Sequence, residues 1–206
     1  MRPMLHTAAV IPVRSLEGAK SRLGDVLDAE ERRDLVTRLL LRTIAAARGA
    51  GVDEVLVVSD DAETLEVATA AGATPVAQHR PGLNAGLDEA RARAVEGGAA
   101  ILVVLPADLP LVDAAAVDAL VRAVGSGPDP AVVLVPDRHG SGTNALALRG
   151  PEVIGFAFGP SSRAAHAALA AEAGAHLVEL DSPLAIDLDT PDDLLLVEDR
   201  LVGDVA

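Results

Sequence analysis

Ala100–Leu105 (A-I-L-V-V-L) is apolar at every position, and few places in a fold accept such a run. A strand with one wet face alternates apolar and polar residues, and six residues are too few for a buried helix. A strand covered by other elements on both faces fits. The rest of the chain repeats this unit. Short apolar or β-branched runs at Thr7–Val13, Glu54–Ser59, Thr74–Gln78, Ala131–Val135, Asn144–Leu148 and His176–Leu180 read as strands. Segments of helical periodicity lie between most of them. One runs from about residue 29 to 48. Asp28 and Glu31 stand at capping-box spacing before it, and Gly49 and Gly51 mark its end. Asp61, Asn84, Asp113 and Ser161 are the expected N-caps of four more. Thr190-Pro191-Asp192-Asp193 starts the last, with proline at its first position and acids in its first turn.

Alternating strand and helix implies a mostly parallel sheet in a three-layer α/β/α arrangement, expected here as a single domain over residues 1–206. The strand–turn–strand stretch 131–149 is the one place where an antiparallel piece is expected. In such a sheet ligands gather beyond the carboxyl ends of the strands, so the loops after each apolar run carry the search for function.

Composition narrows the chemistry. With two Phe, no Trp and no Tyr, the core must be built from Ala, Val, Leu and Ile, and aromatic platforms for stacking nucleic-acid bases are excluded. The net charge of −14 disfavours nucleic acid and anionic membrane as partners. The charge is uneven: nine basic and six acidic side chains fall within the first 48 residues, eight basic and 25 acidic beyond them. Cysteine is absent, which removes thiolate metal sites and Cys nucleophiles and is compatible with the cytoplasm, the expected compartment. Neither an 18-residue apolar stretch nor the apolar core of a signal peptide is present, so no transmembrane segment is expected.

After the first strand, Arg14-Ser15-Leu16-Glu17-Gly18-Ala19-Lys20-Ser21-Arg22 places three cations in a short loop, and Lys20 is the sole lysine of the chain. Such a loop suits a polyphosphate, although it lacks the Walker A spacing; a solvated basic loop is the plain alternative. After the apolar strand, Asp108 lies in L-P-A-D-L-P-L. Asp113 already serves the next helix as cap, which leaves Asp108 suited to a hard cation such as Mg²⁺. In I-D-L-D-T-P, an extended backbone would point Asp187 and Asp189 to one face, about 7 Å apart. Two such carboxylates repel unless a cation sits beside them. The three aspartates could hold one or two Mg²⁺. Ser161, Ser162 and Arg163 at a helix start could bind phosphate or carboxylate, or serve only as an N-cap. Five histidines show no metal-ligand spacing and read as surface or core residues. G-x-S-x-G and G-x-G-x-x-G are both missing.

The segments I-P-V-R-S-L-E-G-A-K-S-R-L, G-L-N-A-G-L, L-P-A-D-L-P-L, H-G-S-G-T-N-A-L, F-G-P-S-S and I-D-L-D-T-P-D-D-L together resemble the phosphoenolpyruvate/2-phospho-L-lactate guanylyltransferase family of deazaflavin (coenzyme F-420) biosynthesis, over about residues 7–200. The resemblance implies a nucleotidyltransferase fold of the glycosyltransferase-A type. It implies transfer of GMP from GTP to phosphoenolpyruvate, or to the rival acceptor 2-phospho-L-lactate, with release of pyrophosphate. By that resemblance Asp108, Asp187 and Asp189 are the Mg²⁺ ligands, and Thr143, Gly159 and Ser162 contact the acceptor. Arg14, Lys20 and Arg22 cradle the triphosphate, Lys20, Arg22 and Asp108 serve catalysis, and Asn84 lies near the nucleoside. Position 14 is Arg where the family often carries Lys, and Arg presents a planar fork in place of a point charge. A labile product implies a downstream transferase that receives it. Two further readings compete. A molybdopterin- or sugar-type nucleotidyltransferase lacks support, because the phosphate loop L-A-G-G-x-S-x-R-M-G is absent. A non-catalytic nucleotide-binding subunit would need no metal triad.

Overall fold

A computed structural model describes residues 5–16 and 20–201. Glu17, Gly18 and Ala19 of the basic loop lie outside the described residues. Seven strands form one sheet: β1 (Thr7–Pro12), β2 (Glu54–Ser59), β3 (Thr74–Ala77), β4 (Ile101–Val104), β5 (Ala131–Pro136), β6 (Thr143–Arg149) and β7 (His176–Glu179), in the order β3-β2-β1-β4-β6-β5-β7. β6 runs antiparallel to both its neighbours; the other pairings are parallel. The hairpin β5–β6 thus supplies the expected antiparallel piece. It does so by inserting β6, the later strand, between β4 and β5.

Among the described residues six α-helices accompany the sheet: α1 (Ala29–Gly49), α2 (Ala62–Ala70), α3 (Leu83–Glu96), α4 (Ala114–Ser126), α5 (Ser162–Glu172) and α6 (Pro191–Leu201). Alternate strand residues feed two cores. Ala9, Ile11, Val57, Val103 and Val133 pack with Leu40 and Ile44 of α1 and Leu120 of α4. Ala8, Val10, Leu56, Leu102 and Leu148 pack on the other face with Leu87 and Ala90 of α3 and Ala170 of α5. Every residue of Ala100–Leu105 after the first is fully or almost fully buried, as a strand between two helical layers requires. A third, smaller cluster joins Leu23, Leu35, Leu39, Leu111, Leu188 and Val197. It lies at the carboxyl edge of the sheet and packs together the loops that follow β1 and β4, helices α1 and α6, and the D-x-D segment.

The expected caps hold for α1, α2 and α4. Asp28 and Glu31 form a reciprocal capping box, and Asp61 and Asp113 accept from Thr64 and Ala116 N–H at 3.0 and 2.7 Å. Two expectations fail. α3 is capped by Gly82 at φ 99°, a backbone that only glycine adopts readily. Asn84 is therefore inside the first turn. Ser161 stands at the N-cap of α5, but in the left-handed region at φ 58° with no capping bond from its hydroxyl.

Candidate functional site

The carboxyl ends of β4, β1, β2 and β3 open onto a cleft of about 590 Å³. Arg14, Lys20 and Arg22 line it after β1, Asp60 after β2, Gln78 after β3 and Asp108 after β4, with Asp189 reaching in from the C-terminal segment. Strands lie about 4.8 Å apart, so the Asp108 and Asp60 ends are separated by roughly 10 Å across two strand spacings.

Lys20 joins the acids at one end. Its ammonium donates to Asp108 Oδ2 at 2.8 Å and to Asp189 Oδ1 at 2.7 Å, and its side chain is only 11% exposed. Burial alone would lower the lysine pKa, but the charges and hydrogen bonds of Asp108 and Asp189 outweigh it and leave the group above its ordinary value. The backbone of Lys20 is left-handed, φ 54°, which is costly for a side chain with a Cβ. The following 3₁₀ turn, Ser21–Leu23, anchors Leu23 in the third core cluster. Arg14 and Arg22 are exposed at the rim.

Asp187 has a different setting. It is half-buried, and its Oδ1 accepts from Asn144 Nδ2 at 3.3 Å. Burial raises its pKa; the Asn144 bond opposes this, and the charges of Asp108 and Asp189 add to the rise. The D-x-D segment follows Ile186, whose backbone is extended, and pairs with no strand of the sheet. It is held by Leu188 N–H donating to Asp108 O at 3.0 Å. Asp193, 3% exposed, accepts from Asp189 N, Thr190 N and Thr190 Oγ1 at 3.0, 2.7 and 2.8 Å, and Arg138 of the β5–β6 turn pairs with it at 2.5 Å.

The expected aspartate triad is thus only partly assembled. Asp108 and Asp189 converge on one ammonium, and Asp187 turns aside to Asn144. Among the described residues no three acids or histidines form a ready metal cluster. The donor set still fits a hard cation. Two carboxylates already converge on a positive centre, and a third feels the charge of both, so the site carries more negative charge than one ammonium neutralises.

The expected acceptor residues form a second cluster. Thr143, Gly159 and Ser162 are not in the lining of the cleft. Thr143 begins β6 and its N–H donates to Ser162 Oγ at 2.9 Å. Its hydroxyl lies 3.0 Å from His166 Nδ1. Gly159, at φ 135°, starts the left-handed bend that delivers Ser162. Asn84, expected near the nucleoside, is not in the lining of the cleft, although Gly82 and Leu83 beside it are. Its Oδ1 accepts from Phe158 N at 2.9 Å and its Nδ2 donates to Phe158 O at 3.0 Å, so its amide holds the F-G-P-S-S loop. Arg163 is likewise a strut, forked onto Glu179 and donating to Gly140 O. Asn144, His166 and Asp193 were not expected as parts of the site. Only the four-residue repeat of Ser162, His166 and Ala170 along the buried face of α5 hints at one of them.

The two clusters meet at the start of β6. A β-bulge sets Val135 opposite Ala145 but Pro136 opposite Thr143, which leaves Asn144 as the extra residue. Thr143 is bonded to α5, while Asn144 is bonded to Leu184 O and Asp187.

Residues 7–199 match the model of a family described as "Guanylyl transferase CofC like". The chain is 48% identical over 191 residues to a phosphoenolpyruvate guanylyltransferase of Rubrobacter xylanophilus, covering 92% of each chain. It is 47% identical to the protein of the same name from Sphaerobacter thermophilus, over 92% of this chain and 91% of the relative. Among solved structures it resembles a nucleotidyl transferase from Methanothermobacter (TM-score 0.68, 18% identity, 96% and 98% coverage). It also resembles a cytidylyltransferase from Leptospira borgpetersenii (TM-score 0.64, 15% identity, 98% and 89% coverage). At such identities the likeness shows the fold, which is the nucleotidyltransferase fold expected from the sequence.

Proposed function

The chain belongs to the CofC-like guanylyl transferase family, and from that premise we propose that it transfers GMP from GTP to phosphoenolpyruvate, releasing pyrophosphate and giving the guanylylated diphosphate used for a deazaflavin coenzyme. The relatives' names favour phosphoenolpyruvate over 2-phospho-L-lactate. The observation that carries the reading is the Lys20 ammonium set between Asp108 and Asp189 at one end of a cleft about 590 Å³ in volume. Acids and a cation meet there as a triphosphate and its counter-ion require.

The acceptor's phosphate has a second pKa of about 6 and is largely dianionic near neutral pH. It is already a nucleophile and needs no protein base. One of its oxygens attacks the α-phosphorus of GTP, the bond from that phosphorus to the β-phosphate bridging oxygen breaks, and pyrophosphate leaves with the electron pair. The protein's task is to hold two anions in line and offset their repulsion. Lys20, Arg14 and Arg22 supply positive charge for the triphosphate. Asp108 and Asp189, with Asp187 beside them, would hold Mg²⁺, which when bound stabilises charge on the phosphates. The nucleoside takes the other end of the cleft. There Asp60 is the one carboxylate of the described lining besides Asp108 and Asp189. A carboxylate accepts from the N1–H and N2–H donors that guanine presents and adenine does not. Both substrates are small molecules of the cytoplasm, the compartment proposed. Among the described residues no helix is long and apolar enough to cross a membrane. The labile product implies a downstream transferase as partner.

The test is pyrophosphate release from purified protein, GTP and Mg²⁺ with each acceptor in turn. Turnover with phosphoenolpyruvate is expected. Turnover with 2-phospho-L-lactate alone would move the acceptor assignment, and none with either would remove the proposal.

A further inference from the structure

His166 is fully buried on α5 and has no part in the chemistry above. Both of its ring nitrogens are engaged. Ala157 N–H points to Nε2 at 3.0 Å, and Thr143 Oγ1 lies 3.0 Å from Nδ1. A backbone N–H can only donate, so Nε2 is the unprotonated, accepting nitrogen. A neutral imidazole carries one proton, which must then be on Nδ1. Burial keeps the ring neutral, with its pKa pushed down to about 4. The ring is fixed in place by the edge of Phe158, 4.9 Å away between centroids, and Phe158 is itself held by Asn84.

The consequence falls on Thr143. Its oxygen receives the Nδ1 proton, so its own hydroxyl proton must point elsewhere. Ser162 is in the same position, because its oxygen receives the Thr143 N–H. Among the described residues no carbonyl or carboxylate takes either hydroxyl proton. Thr143 and Ser162 are nearly buried residues, 7% and 2% exposed, and each hydroxyl is set to donate and lacks an acceptor among the described residues. A buried donor without an acceptor is costly, and an anionic oxygen would satisfy it.

We infer that His166 is a positioning residue that makes the Thr143 hydroxyl a committed hydrogen-bond donor to the anionic oxygens of the acceptor substrate. This rests on the reading of Thr143 and Ser162 as acceptor contacts. His166 touches no substrate; it sets which way a hydroxyl proton points. With any other tautomer Thr143 could offer a lone pair to the acceptor, and that would repel a phosphate or carboxylate.

Three measurements on the whole chain test it. ¹⁵N-detected histidine spectra of the unliganded wild-type protein near neutral pH should show His166 neutral, with the proton on Nδ1. A proton on Nε2, or a charged ring, overturns the inference without any variant having to fold. In kinetics, His166→Leu should raise KM for phosphoenolpyruvate about tenfold or more, as loss of a hydrogen bond to a charged group does, and leave KM for GTP within about twofold. His166→Gln can accept from Ala157 and donate to Thr143 through its amide, and should recover most of the loss. An unchanged phosphoenolpyruvate KM in His166→Leu, or an equal rise for both substrates, overturns the inference. Thr143→Val separates the two levels. If it raises the acceptor KM while His166→Leu does not, the acceptor reading stands and the His166 role fails. If Thr143→Val itself leaves the acceptor KM unchanged, the acceptor reading fails and takes the His166 role with it.

Discussion

Replacing Asp193 with alanine removes one carboxylate that accepts from Asp189 N, Thr190 N and Thr190 Oγ1. Its carboxyl stays below the usual range although burial pushes it up, because the Thr190 and Asp189 bonds, and then the Arg138 charge, outweigh burial. It is therefore ionised at neutral pH, and each bond to it is charge-assisted, on the order of 1.5–3 kcal/mol. Asp189 and Thr190 are half-exposed and regain water when released, so the net loss is about 2–4 kcal/mol in the local opening of the D-x-D segment. That is roughly 30- to 1,000-fold in its opening equilibrium. The reporter is the Leu188 amide, which donates to Asp108 O at 3.0 Å. Hydrogen–deuterium exchange should show its protection fall by that factor while the amides of β1 and β4 stay unchanged. Turnover should fall too, because Asp189 loses its hold beside Lys20. Leu188 protection within about threefold of wild type would refute the claim that Asp193 fixes Asp189.

Lys20→Ala should raise KM for GTP by about tenfold or more and leave KM for phosphoenolpyruvate within about twofold in the pyrophosphate assay; an equal effect on both would misplace Lys20. Asp60→Asn should impair GTP and improve xanthosine triphosphate as donor, since an amide can donate to the 2-oxo group that replaces the amine; an equal loss with both nucleotides would place Asp60 on the ribose instead. Asn84→Ala should raise the acceptor KM more than that for GTP, because its amide holds the Phe158 loop. His166 adds a pH dependence. Its folded pKa, about 4, lies below the ordinary histidine value of 6.5, so the unfolded chain binds the extra proton between those values. The stability it contributes is complete above about pH 6.5 and is lost as pH falls through about 4, up to about 3 kcal/mol. Urea denaturation at pH 7 and 4.5 should show wild type losing more than His166→Gln.

Much of this architecture is legible in one-dimensional patterns because the forces that set it are local. Apolar runs give the strands, and Asp28, Asp61 and Asp113 give helix starts through bonds that span three residues. The loops after β1 and β4 carry Lys20 and Asp108 because parallel strands deliver their carboxyl ends to one edge. What escapes the sequence is every pairing made across the fold by a side chain with a backbone group. Asn84 looks like a cap because asparagine often is one; its partners are the backbone N–H and C=O of Phe158, 74 residues away. His166 looks like a core histidine, and it is one, but the proton it holds is assigned by Ala157 and spent on Thr143. The order of β4, β6 and β5 is equally hidden, since a hairpin can dock on β4 through either strand.

The bulge at Asn144 shows why the acidic and hydroxyl clusters should act together. Without the extra residue, regular alternation along β6 would set Asn144 opposite Pro136 and place its side chain by the pleat alone. With it, two consecutive residues are bonded to two different parts of the site: Thr143 to His166 and Ser162, Asn144 to Leu184 O and Asp187. Both partners of the proposed reaction are anions, and their approach is productive only if the acids proposed to manage the nucleotide's counter-ions and the hydroxyls proposed to hold the acceptor are fixed relative to each other. A single peptide unit in a buried strand is a stiffer link between them than two loops could provide, because its flanking residues Ala145, Leu146 and Ala147 are wholly buried between the helical layers.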